Sequence, residues 1–446
     1  MAKRQLKLGC VISNVTGMHI ASWLHPHAER FAGIDIKVFA RTAQRAEAAK
    51  FDLLFLADQL AVAYSSNLDT MSRISPSVLL EPLTLLSALA MVTERVGLVA
   101  SATTTYNEPY HLARFFASLD HISAGRAGWN VVTSVNQDEA FNFHRDAHVA
   151  HSDRYERARE ALEVVQGLWD SWDDDAFVYD KGKARVFEPE KLHYLNHKGP
   201  LFSVKGPLNI PRTPQGQPVI IQSGSSEPGM ELGAETAEII FTAQHQMEEG
   251  KRFYAEVKSR LAKFGRTPDQ LLIMPGIVPI VGRTKQEAKD QYDRLQESIH
   301  PDVGLEALST VLGGVDLRNY PLDGPLPEIG ESNAYKSRRD LFVNMARKEN
   351  LTIRQLYQRV AGARGHRTVW GDAGDIADYM EEWLVNEAAD GFNVLSPYMP
   401  DALDGFIELV IPELRRRGIF RTEYEGKTLR ENLGLKRPPS RYSKAG

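Results

Sequence analysis

The sequence predicts an α/β fold, a (β/α)8 barrel with long insertions. Short apolar runs rich in β-branched residues alternate with longer stretches of helical periodicity along the 446 residues. This alternation is typical of repeated βα units and a parallel sheet. Eight such runs occur, and eight parallel strands close a barrel of this type. The strands are expected at 7–13, 53–56, 96–103, 128–133, 219–222, 239–242, 273–281 and 392–395.

Helices are predicted between these strands by apolar residues at helical spacing, such as Leu162, Val165 and Leu168. Ser152 is expected to cap the helix that it begins, and Gly418, which follows three arginines, is expected to end the last helix. The predicted helices span 34–49, 82–93, 110–122, 153–172, 229–236, 247–264, 284–297 and 401–417.

Three connections are longer than those of a minimal barrel, and long excursions from a compact barrel usually carry function. They span 59–81, 173–217 and 298–371. The last contains helical patterns at 337–349 and 351–360, so we expect a lid or an interface subdomain there. The polar tail at 422–446 is expected to wrap the surface or a partner subunit, and the whole chain, 1–446, is expected to form one domain.

The composition narrows the class of protein. Charged residues make up 25% of the chain and the net charge is -5, so no basic excess favours nucleic acid or an anionic membrane as a partner. The single cysteine, Cys10, excludes an internal disulfide framework and is expected to be a small core residue. Neither a signal-peptide pattern nor an apolar run of about 18 residues occurs, so we expect a cytoplasmic protein.

Polar residues stand at the ends of four successive predicted strands. In a barrel of this kind, the loops at the carboxyl ends of the strands build the active site. These residues are Asp58 and Gln59, the threonines at 103–105, Thr133 and Ser134, and the serines and glycine at 223–226. We therefore expect all four strand ends to line one site.

The segment Gly224-Ser225-Ser226 has the composition of a phosphate site. Its backbone N–H groups, its two hydroxyls and the amino terminus of the helix that follows would all favour an anion. A plainer interpretation is that the segment is a turn that caps this helix, and the local sequence alone favours the plainer one. Asn130 is similarly open, since it would either face a ligand or fill a layer of the barrel interior.

Several motifs occur in an order that resembles a known family. They are Phe55-Leu-Ala-Asp58, the run at 102–109, the run at 125–134, His151-Ser-Asp-Arg-Tyr155 and Gln222-Ser-Gly-Ser-Ser226. With them, nearly the whole chain resembles the nitrilotriacetate monooxygenase family, component A type, of the bacterial luciferase-like FMN-dependent monooxygenases. Further likeness at 351–360 and 418–426 points to the aminopolycarboxylate branch.

The resemblance implies that the barrel mouth binds FMN. Ser225 or Ser226, with Gly224 and the phenol of Tyr155, would hold the phosphate. Asp58 resembles the family's strand-two acid, Thr103 or else Thr104 its strand-three hydroxyl, and His151 its ring-contacting histidine. The expected cofactor-binding residues are thus Asp58, Thr103, Thr104, Asn130, His151, Tyr155, Gly224, Ser225 and Ser226. No catalytic residue and no metal ligand is assigned.

The resemblance also implies a mechanism. Family members take FMNH2 from a separate NAD(P)H-dependent flavin reductase, react it with O2, and use the C4a-(hydro)peroxyflavin to hydroxylate a small substrate. With nitrilotriacetate, hydroxylation beside nitrogen gives a carbinolamine, which collapses to a secondary amine and glyoxylate. A closed pocket protects this chemistry from water, so the excursion at 298–371 is the candidate lid. A homodimer or homotetramer is expected.

Such a substrate, or its magnesium chelate, needs cations or polar donors in the barrel mouth. Candidate cations on loops are Arg73, Lys205, Arg283, Arg364 and Arg367, and each has the alternative of being a solvated surface charge. The loop at 18–27, rich in histidine and aromatic residues, is expected to line the substrate side. Its His19 is a conceivable acid or base to which we assign no role.

Other interpretations keep the barrel but change the chemistry. Related branches oxidise sulfones, other sulfur compounds or alkanes, and the wider family includes F420-dependent enzymes and non-catalytic flavin binders. A metal-dependent hydrolase is suggested by His25-Pro-His27 and by the spacing of His144, His148 and His151. Against it, His25 lies well beyond the first predicted strand, and the eighth ends without a metal-binding aspartate. The absence of a Gly-x-Gly-x-x-Gly motif argues against a Rossmann crevice.

Overall fold

The computed structural model describes residues 4–13, 16–62, 67–74, 78–134, 136–329, 336–363 and 365–443. Its strands are β1 (Lys7–Val11), β2 (Leu53–Leu56), β3 (Gly97–Thr103), β4 (Ala127–Val132), β5 (Phe177–Asp180), β6 (Arg185–Phe187), β7 (His197–Lys198), β8 (Ser203–Val204), β9 (Val219–Gln222), β10 (Ile239–Thr242), β11 (Leu272–Val281), β12 (Arg367–Gly371) and β13 (Gly391–Val394).

The α-helices are α1 (Ile36–Ala48), α2 (Leu68–Met71), α3 (Pro82–Ala90), α4 (Pro109–Ile122), α5 (Gln137–Phe141), α6 (His151–Trp169), α7 (Glu227–Thr236), α8 (Met247–Arg260), α9 (Lys285–Glu297), α10 (Pro301–Val311), α11 (Lys336–Glu349), α12 (Ile353–Ala363), α13 (Ala373–Val385), α14 (Asp401–Gly405), α15 (Ile411–Arg416) and α16 (Leu429–Leu433). A π-helical turn, Phe406–Val410, joins α14 to α15. None of the described helices combines the length and apolar character that crossing a bilayer requires.

Eight of the strands close a parallel barrel, which confirms the predicted fold class. Around the ring the order is β1, β2, β3, β4, β9, β10, β11 and β13, and β13 pairs with β1 to complete it. Each of the eight predicted strands is present, with ends that differ from the prediction by at most two residues. Cys10 is buried in β1, as expected for a core residue.

A ninth parallel strand corrects the predicted extent of the last insertion. The sequence places 367–371 inside the excursion that begins at 298, but this run forms β12. β11 is ten residues long, and its second half, from Ile277 to Val281, pairs with β12 residue by residue. Because β11 extends past the strand ends of the ring, its backbone offers an edge to which another strand can be added.

The other excursions also contain regular structure. The one at 173–217 carries two small antiparallel hairpins, β5 with β6 and β7 with β8. In the last excursion α10, α11 and α12 share an apolar cluster of their own, which Ala21 from the loop after β1 also joins. This second cluster gives the excursion a packed interior, as a lid or interface subdomain needs.

One predicted helix cap is wrong and one is confirmed. Ser152 lies inside α6, whose N-cap is Ala150, and the Ser152 hydroxyl donates to Asp153. The helix begins earlier than predicted, so Ser152 cannot occupy the capping position. Gly418 does end its helix: its φ is +70°, in the left-handed region that glycine adopts without strain, and its N–H donates to the carbonyl of Arg415.

The carboxyl-terminal tail closes the amino-terminal end of the barrel. Leu429, Leu433 and Leu435 belong to the same buried cluster as interior residues of the strands, such as Val99 and Ile221. At Gly97, any Cβ would come within 2.4 Å of the Leu429 side chain, so the glycine makes room for the leucine. The expectation that the tail only wraps the surface or a partner is therefore wrong for α16, which fills one end of the barrel.

Candidate active site

The carboxyl ends of the strands surround a cavity of about 710 Å³. This volume is in the usual range for a small-molecule or cofactor site. The lining residues come from the ends of β2, β3, β4, β9 and β10, the loops after β2 and β4, helices α5 and α6, and α10 of the last excursion. The four predicted strand ends thus meet at one site.

The alternation of side chains along the strands explains why the cavity floor is polar. In β3, Ser101 and Thr103 face the cavity, whereas Thr104 is fully buried and donates its hydroxyl to the carbonyl of Val132. Asn130 also faces the cavity, and its Nδ2 donates to Ser101 over 2.7 Å while its Oδ1 accepts from Ser223 over 3.1 Å. Asn130 is therefore both a lining residue and a member of a buried polar layer.

The turn after β4 is held in an unusual conformation. Ser134 has φ +55°, in the left-handed region that costs a residue with a side chain about 1–3 kcal/mol. The guanidinium of Arg154, which is buried, donates to the carbonyls of Ser134 and Thr133. The Ser134 hydroxyl donates to Thr103 over 2.9 Å, so this turn and β3 present a connected pair of hydroxyls to the cavity.

A cradle for an anion lies at the amino terminus of α7. Ser226 is the N-cap, and its hydroxyl accepts from the N–H of Gly229 and lies 3.4 Å from the Tyr155 hydroxyl. A Cβ at Gly224 or at Gly229 would come within 3.4 or 3.1 Å of that phenol oxygen. The two glycines therefore keep the backbone open beside three kinds of donor: a phenol, a serine hydroxyl and helix N–H groups.

The structure links Ser225 and His151 to the site less directly than Tyr155 and Ser226. The Ser225 hydroxyl is exposed and lies 3.2 Å from that of Thr242, at the end of β10. His151 is the first residue of α6, and its side chain lies outside the described part of the chain. Tyr155 lines the cavity one helical turn farther along α6, whereas the residues 224–226 are not among those that line it.

The charged side chains among the described lining residues are all acidic: Asp58, Asp138, Glu139 and Glu306. Burial, with a smaller contribution from the nearby carboxylates of Glu81 and Glu139, raises the pKa of Asp58 to about 6, against a hydrogen bond from the Gln59 N–H. Glu139 is 5% exposed and accepts from the Leu60 N–H through one oxygen only. The cavity is therefore electronegative.

Four of the five predicted substrate cations do not line this cavity. Arg73 pairs with Asp69, Lys205 lies over the ring of Tyr194, and Arg367 is an exposed residue of β12. Arg283 precedes α9, with its backbone N–H bonded to Glu287, and Arg364 lies outside the described residues. For the four cations that the structure describes, it supports the alternative of a charge outside the site.

The loop at 18–27 does not line the main cavity, where the sequence predicted it on the substrate side. Its residues Ile20, Ala21, Trp23 and Leu24 line a different cavity, of about 510 Å³, together with 297–301 and Val303, most of which belong to the last excursion. His19 is buried, with its Nδ1 accepting from the Ala21 N–H, and it does not line the main cavity. The loop thus contacts the excursion rather than the polar floor.

The histidines that suggested a hydrolase do not converge at the strand ends. His148 bonds to the Tyr106 hydroxyl over 2.8 Å, and His144 is exposed. His25 and His27 instead meet Asp401, at the start of α14, away from the residues that line the main cavity. The described histidines therefore form no metal centre in the barrel mouth.

Some lining residues were not anticipated from the sequence. Ser101 stands two positions before Thr103 and has the signal that strand alternation provides. Glu139 lies on α5, a short helix that Asn136 caps, and an Asn followed by two acids in the first turn was its signal. Glu306 and Thr310 come from α10, and only the tertiary structure could bring this helix to the cavity.

Comparison with known proteins gives a consistent family. The sequence pattern of the luciferase-like monooxygenases matches residues 15–390. The chain is 53% identical to nitrilotriacetate monooxygenase component A of Aminobacter aminovorans, and the alignment covers 99% of both chains. It is 51% identical to N-acetyl-S-(2-succino)cysteine monooxygenase of Bacillus subtilis (strain 168), again over 99% of both.

Solved structures agree with these relatives. The EDTA monooxygenase of Chelativorans sp. BNC1 superposes with a TM-score of 0.79 at 35% identity, over 97% of this chain and 99% of that one. A long-chain alkane monooxygenase superposes with a TM-score of 0.85 at 32% identity, over 97% and 96%. Proteins that share the barrel and most of its excursions thus oxidise chemically different compounds, so the fold does not identify the substrate.

Proposed function

Because the chain belongs to the luciferase-like monooxygenase family and is a flavin-dependent monooxygenase, we propose that it is the oxygenating component of a two-component system. In this proposal it receives FMNH2 from a separate NAD(P)H-dependent flavin reductase in the cytoplasm and hydroxylates an aminopolycarboxylate such as nitrilotriacetate. The observation that carries the proposal is the placement of the anion cradle at α7 beside a polar cavity of about 710 Å³, in a chain 53% identical to a nitrilotriacetate monooxygenase component.

The residues present fit FMN. The flavin phosphate would accept hydrogen bonds from Tyr155, Ser226 and the N–H groups at the start of α7, where a dianion is favoured. Gly224 supports this assignment because a side chain there would crowd the phenol oxygen. The isoalloxazine would lie over the polar floor that Thr103, Ser101 and Asn130 form. Reduced FMN would supply the activation of dioxygen.

The protein's own contribution is to bind, orient and exclude water. The buried residues Ser101 and Asn130 and the exposed Ser223 are already hydrogen-bonded to one another, so they would present fixed dipoles to a ring without reorganising. On the opposite side α10 contributes Glu306 and Thr310. A helix from the last excursion thus covers part of the site, and this position suits the exclusion of water during oxygen chemistry.

The acidic lining bears on the form in which an aminopolycarboxylate would bind. Free nitrilotriacetate would bring carboxylates against Asp138, Glu139 and Glu306, and like charges in a low-dielectric pocket repel strongly. A magnesium chelate carries less negative charge and presents a hard cation, for which carboxylate oxygens are good ligands. We therefore propose the magnesium chelate, rather than the free acid, as the substrate.

The test is a coupled assay with the full chain, a flavin reductase, NADH, FMN and nitrilotriacetate, with and without Mg²⁺. We expect one glyoxylate and one secondary amine per nitrilotriacetate consumed, and oxidation that depends on Mg²⁺. Absence of glyoxylate would reject nitrilotriacetate, and the flavin site would then be tested separately by the binding of FMNH2. Equal rates with and without Mg²⁺ would reject the chelate.

A sulfur compound is the second candidate, because the relative named for N-acetyl-S-(2-succino)cysteine is 51% identical over 99% of both chains. That compound also carries several carboxylates but does not chelate magnesium as tightly. The same assay with this substrate separates the candidates, since product formation without Mg²⁺ favours the thioether and formation only with Mg²⁺ favours the aminopolycarboxylate.

A further inference from the structure

We propose that His25, His27 and Asp401 form a binding site for a divalent transition metal of borderline softness, such as Zn²⁺, outside the active site. One ligand atom from each of the three residues lies within 4.8 Å of the other two. Two imidazoles and a carboxylate are a common ligand set for Zn²⁺, and waters would complete the coordination.

The three side chains come from opposite ends of the sequence. His25 and His27 lie in the loop after β1, and Asp401 is the first residue of α14, after β13. β1 and β13 are neighbours in the barrel, so the loops that follow them leave it side by side. Backbone hydrogen bonds join these loops, from the N–H of Met18 to Ser396 over 2.7 Å and from the N–H of Met399 to Thr16 over 3.0 Å.

The distances within the cluster match what a metal needs after small rotations of the side chains. The Asp401 Oδ2 lies 2.5 Å from the Nδ1 of His27 and 3.8 Å from the Nδ1 of His25. Donor atoms around a tetrahedral Zn²⁺ at bonds of about 2.0–2.2 Å are separated by roughly 3.4 Å. One pair therefore has to open and the other to close, each by less than the width of an atom.

The imidazole of His25 is held in place before any ligand binds. Its ring stacks on that of Tyr398, with centroids 4.1 Å apart and an interplanar angle of 18°. Its Nδ1 accepts a weak hydrogen bond from the His27 N–H, over 3.3 Å, so this nitrogen is unprotonated and a metal would replace that hydrogen bond. His27 and Asp401 are more exposed, which gives an ion access from solvent.

A metal here would be structural. None of the three ligands lines the main cavity. The loop that carries His25 and His27 also carries Ile20 and Ala21, which pack with the apolar cluster of the last excursion. A metal that joins this loop to α14 would therefore fix the base on which the excursion rests. From the sequence we assigned no metal ligand, because the histidines were considered there only as ligands of a hydrolytic centre in the barrel mouth.

Isothermal titration of the full chain with Zn²⁺, in a buffer without chelator, tests the site. We expect saturable binding of one equivalent and a rise in melting temperature, because an ion that binds only the folded state stabilises it. Titration with Co²⁺ should give the visible absorption of a coordinated ion. His27→Ala and, separately, His25→Ala should weaken the binding of Zn²⁺ at least tenfold.

His300→Ala is the matched control. His300 is a partly exposed histidine whose Nδ1 lies 3.6 Å from the Asp302 carboxylate, and no third ligand joins that pair among the described residues. We expect this variant to bind Zn²⁺ as the wild type does. Absence of saturable binding, or equal weakening in His300→Ala and His27→Ala, would overturn the proposal. Because the titration uses Zn²⁺ alone, its outcome does not depend on the proposed oxygenase activity.

Discussion

At the scale of single residues, buried polar groups do most to shape the cavity. Arg154 and Ser134 illustrate this: one buried guanidinium bonds to the carbonyls of a turn in which a serine has φ +55°. The sequence contains both residues within recognisable motifs, but periodicity carries no signal for a left-handed serine. Their relation became visible only when α6 was placed beside the end of β4.

Arg154→Gln should destabilise this turn. The substitution removes the charged donor from the Ser134 carbonyl, whose other contact is the His148 Nε2 at 3.4 Å, whereas the Thr133 carbonyl keeps the Thr105 hydroxyl. A hydrogen bond to a charged group is worth about 1.5–3 kcal/mol. We expect a loss of that size in the free energy of unfolding, measured in urea, together with weaker binding of FMNH2. Arg159→Gln is the control, since Arg159 lies on the same helix but makes an exposed ion pair with Glu235. Equal effects of the two substitutions would contradict the role given to Arg154.

Asp58 should make stability depend on pH. Its pKa is raised from 3.8 to about 6, first by burial and then by neighbouring carboxylates. Between those pH values the folded chain binds more protons than the unfolded one, so the free energy of unfolding falls as pH rises through this window. In Asp58→Asn this decrease should be smaller.

Urea denaturation of both proteins at several pH values from about 4 to 7 measures the difference. The exposed Asp290 provides the control Asp290→Asn, which should follow the wild type. Identical pH profiles for wild type and Asp58→Asn would mean that Asp58 titrates as it does in the unfolded chain.

At the scale of elements, the strands and helices with strong apolar periodicity could be predicted from the sequence, whereas β12 and α16 could not. The eight barrel strands have strong apolar periodicity, and seven of the eight predicted barrel helices are continuous α-helices of similar extent. β12 and α16 have short, partly polar sequences, and each forms because a neighbouring part of the barrel pairs with it or packs against it. For β12 this is the long edge of β11, and for α16 it is the open end of the barrel.

Leu429→Ala should show how much α16, which fills the amino-terminal end of the barrel, contributes to the free energy of unfolding. Leu429 is fully buried among strand side chains, and large-to-small changes at such positions cost about 2–5 kcal/mol. Urea denaturation should register a loss in this range. The exposed neighbour Lys427 gives the control Lys427→Ala, for which we expect a change within about 0.5 kcal/mol. A similarly small change for Leu429→Ala would mean that the tail does not hold the barrel end closed.

Glu306 allows the contribution of α10 to be separated from that of the flavin site. If the substrate is a magnesium chelate, Glu306→Gln removes one of the carboxylates that face it, so KM for the chelate should rise several-fold. The affinity for FMNH2 should stay unchanged, because the cradle at α7 is intact. Glu297→Gln, on α9 and outside the main cavity, is the control for steady-state measurements. Unchanged KM in Glu306→Gln would contradict the proposed substrate contact.

At the scale of the whole molecule, the family and the barrel follow from the sequence, whereas the substrate does not. Motifs at strand ends predicted one site, and the structure brings those ends together around one cavity. Four of the five predicted substrate cations lie outside the cavity lining. The sequence could not show this, because the position of a charged residue in the chain does not indicate the direction in which its side chain points. The single domain, the homodimer or homotetramer and the roles of the cofactor-binding residues stay predictions.

Anaerobic titration with FMNH2 tests the central claim, that the cradle at α7 binds the flavin phosphate. Tyr155→Phe should weaken binding about tenfold, since a hydrogen bond to a charged group is worth about 1.5–3 kcal/mol, and Ser226→Ala should also weaken it. Tyr110→Phe removes a phenol that bonds to Pro207 outside the cavity lining, and it should bind FMNH2 as the wild type does. Wild-type affinity in both Tyr155→Phe and Ser226→Ala would contradict the account and place the phosphate elsewhere.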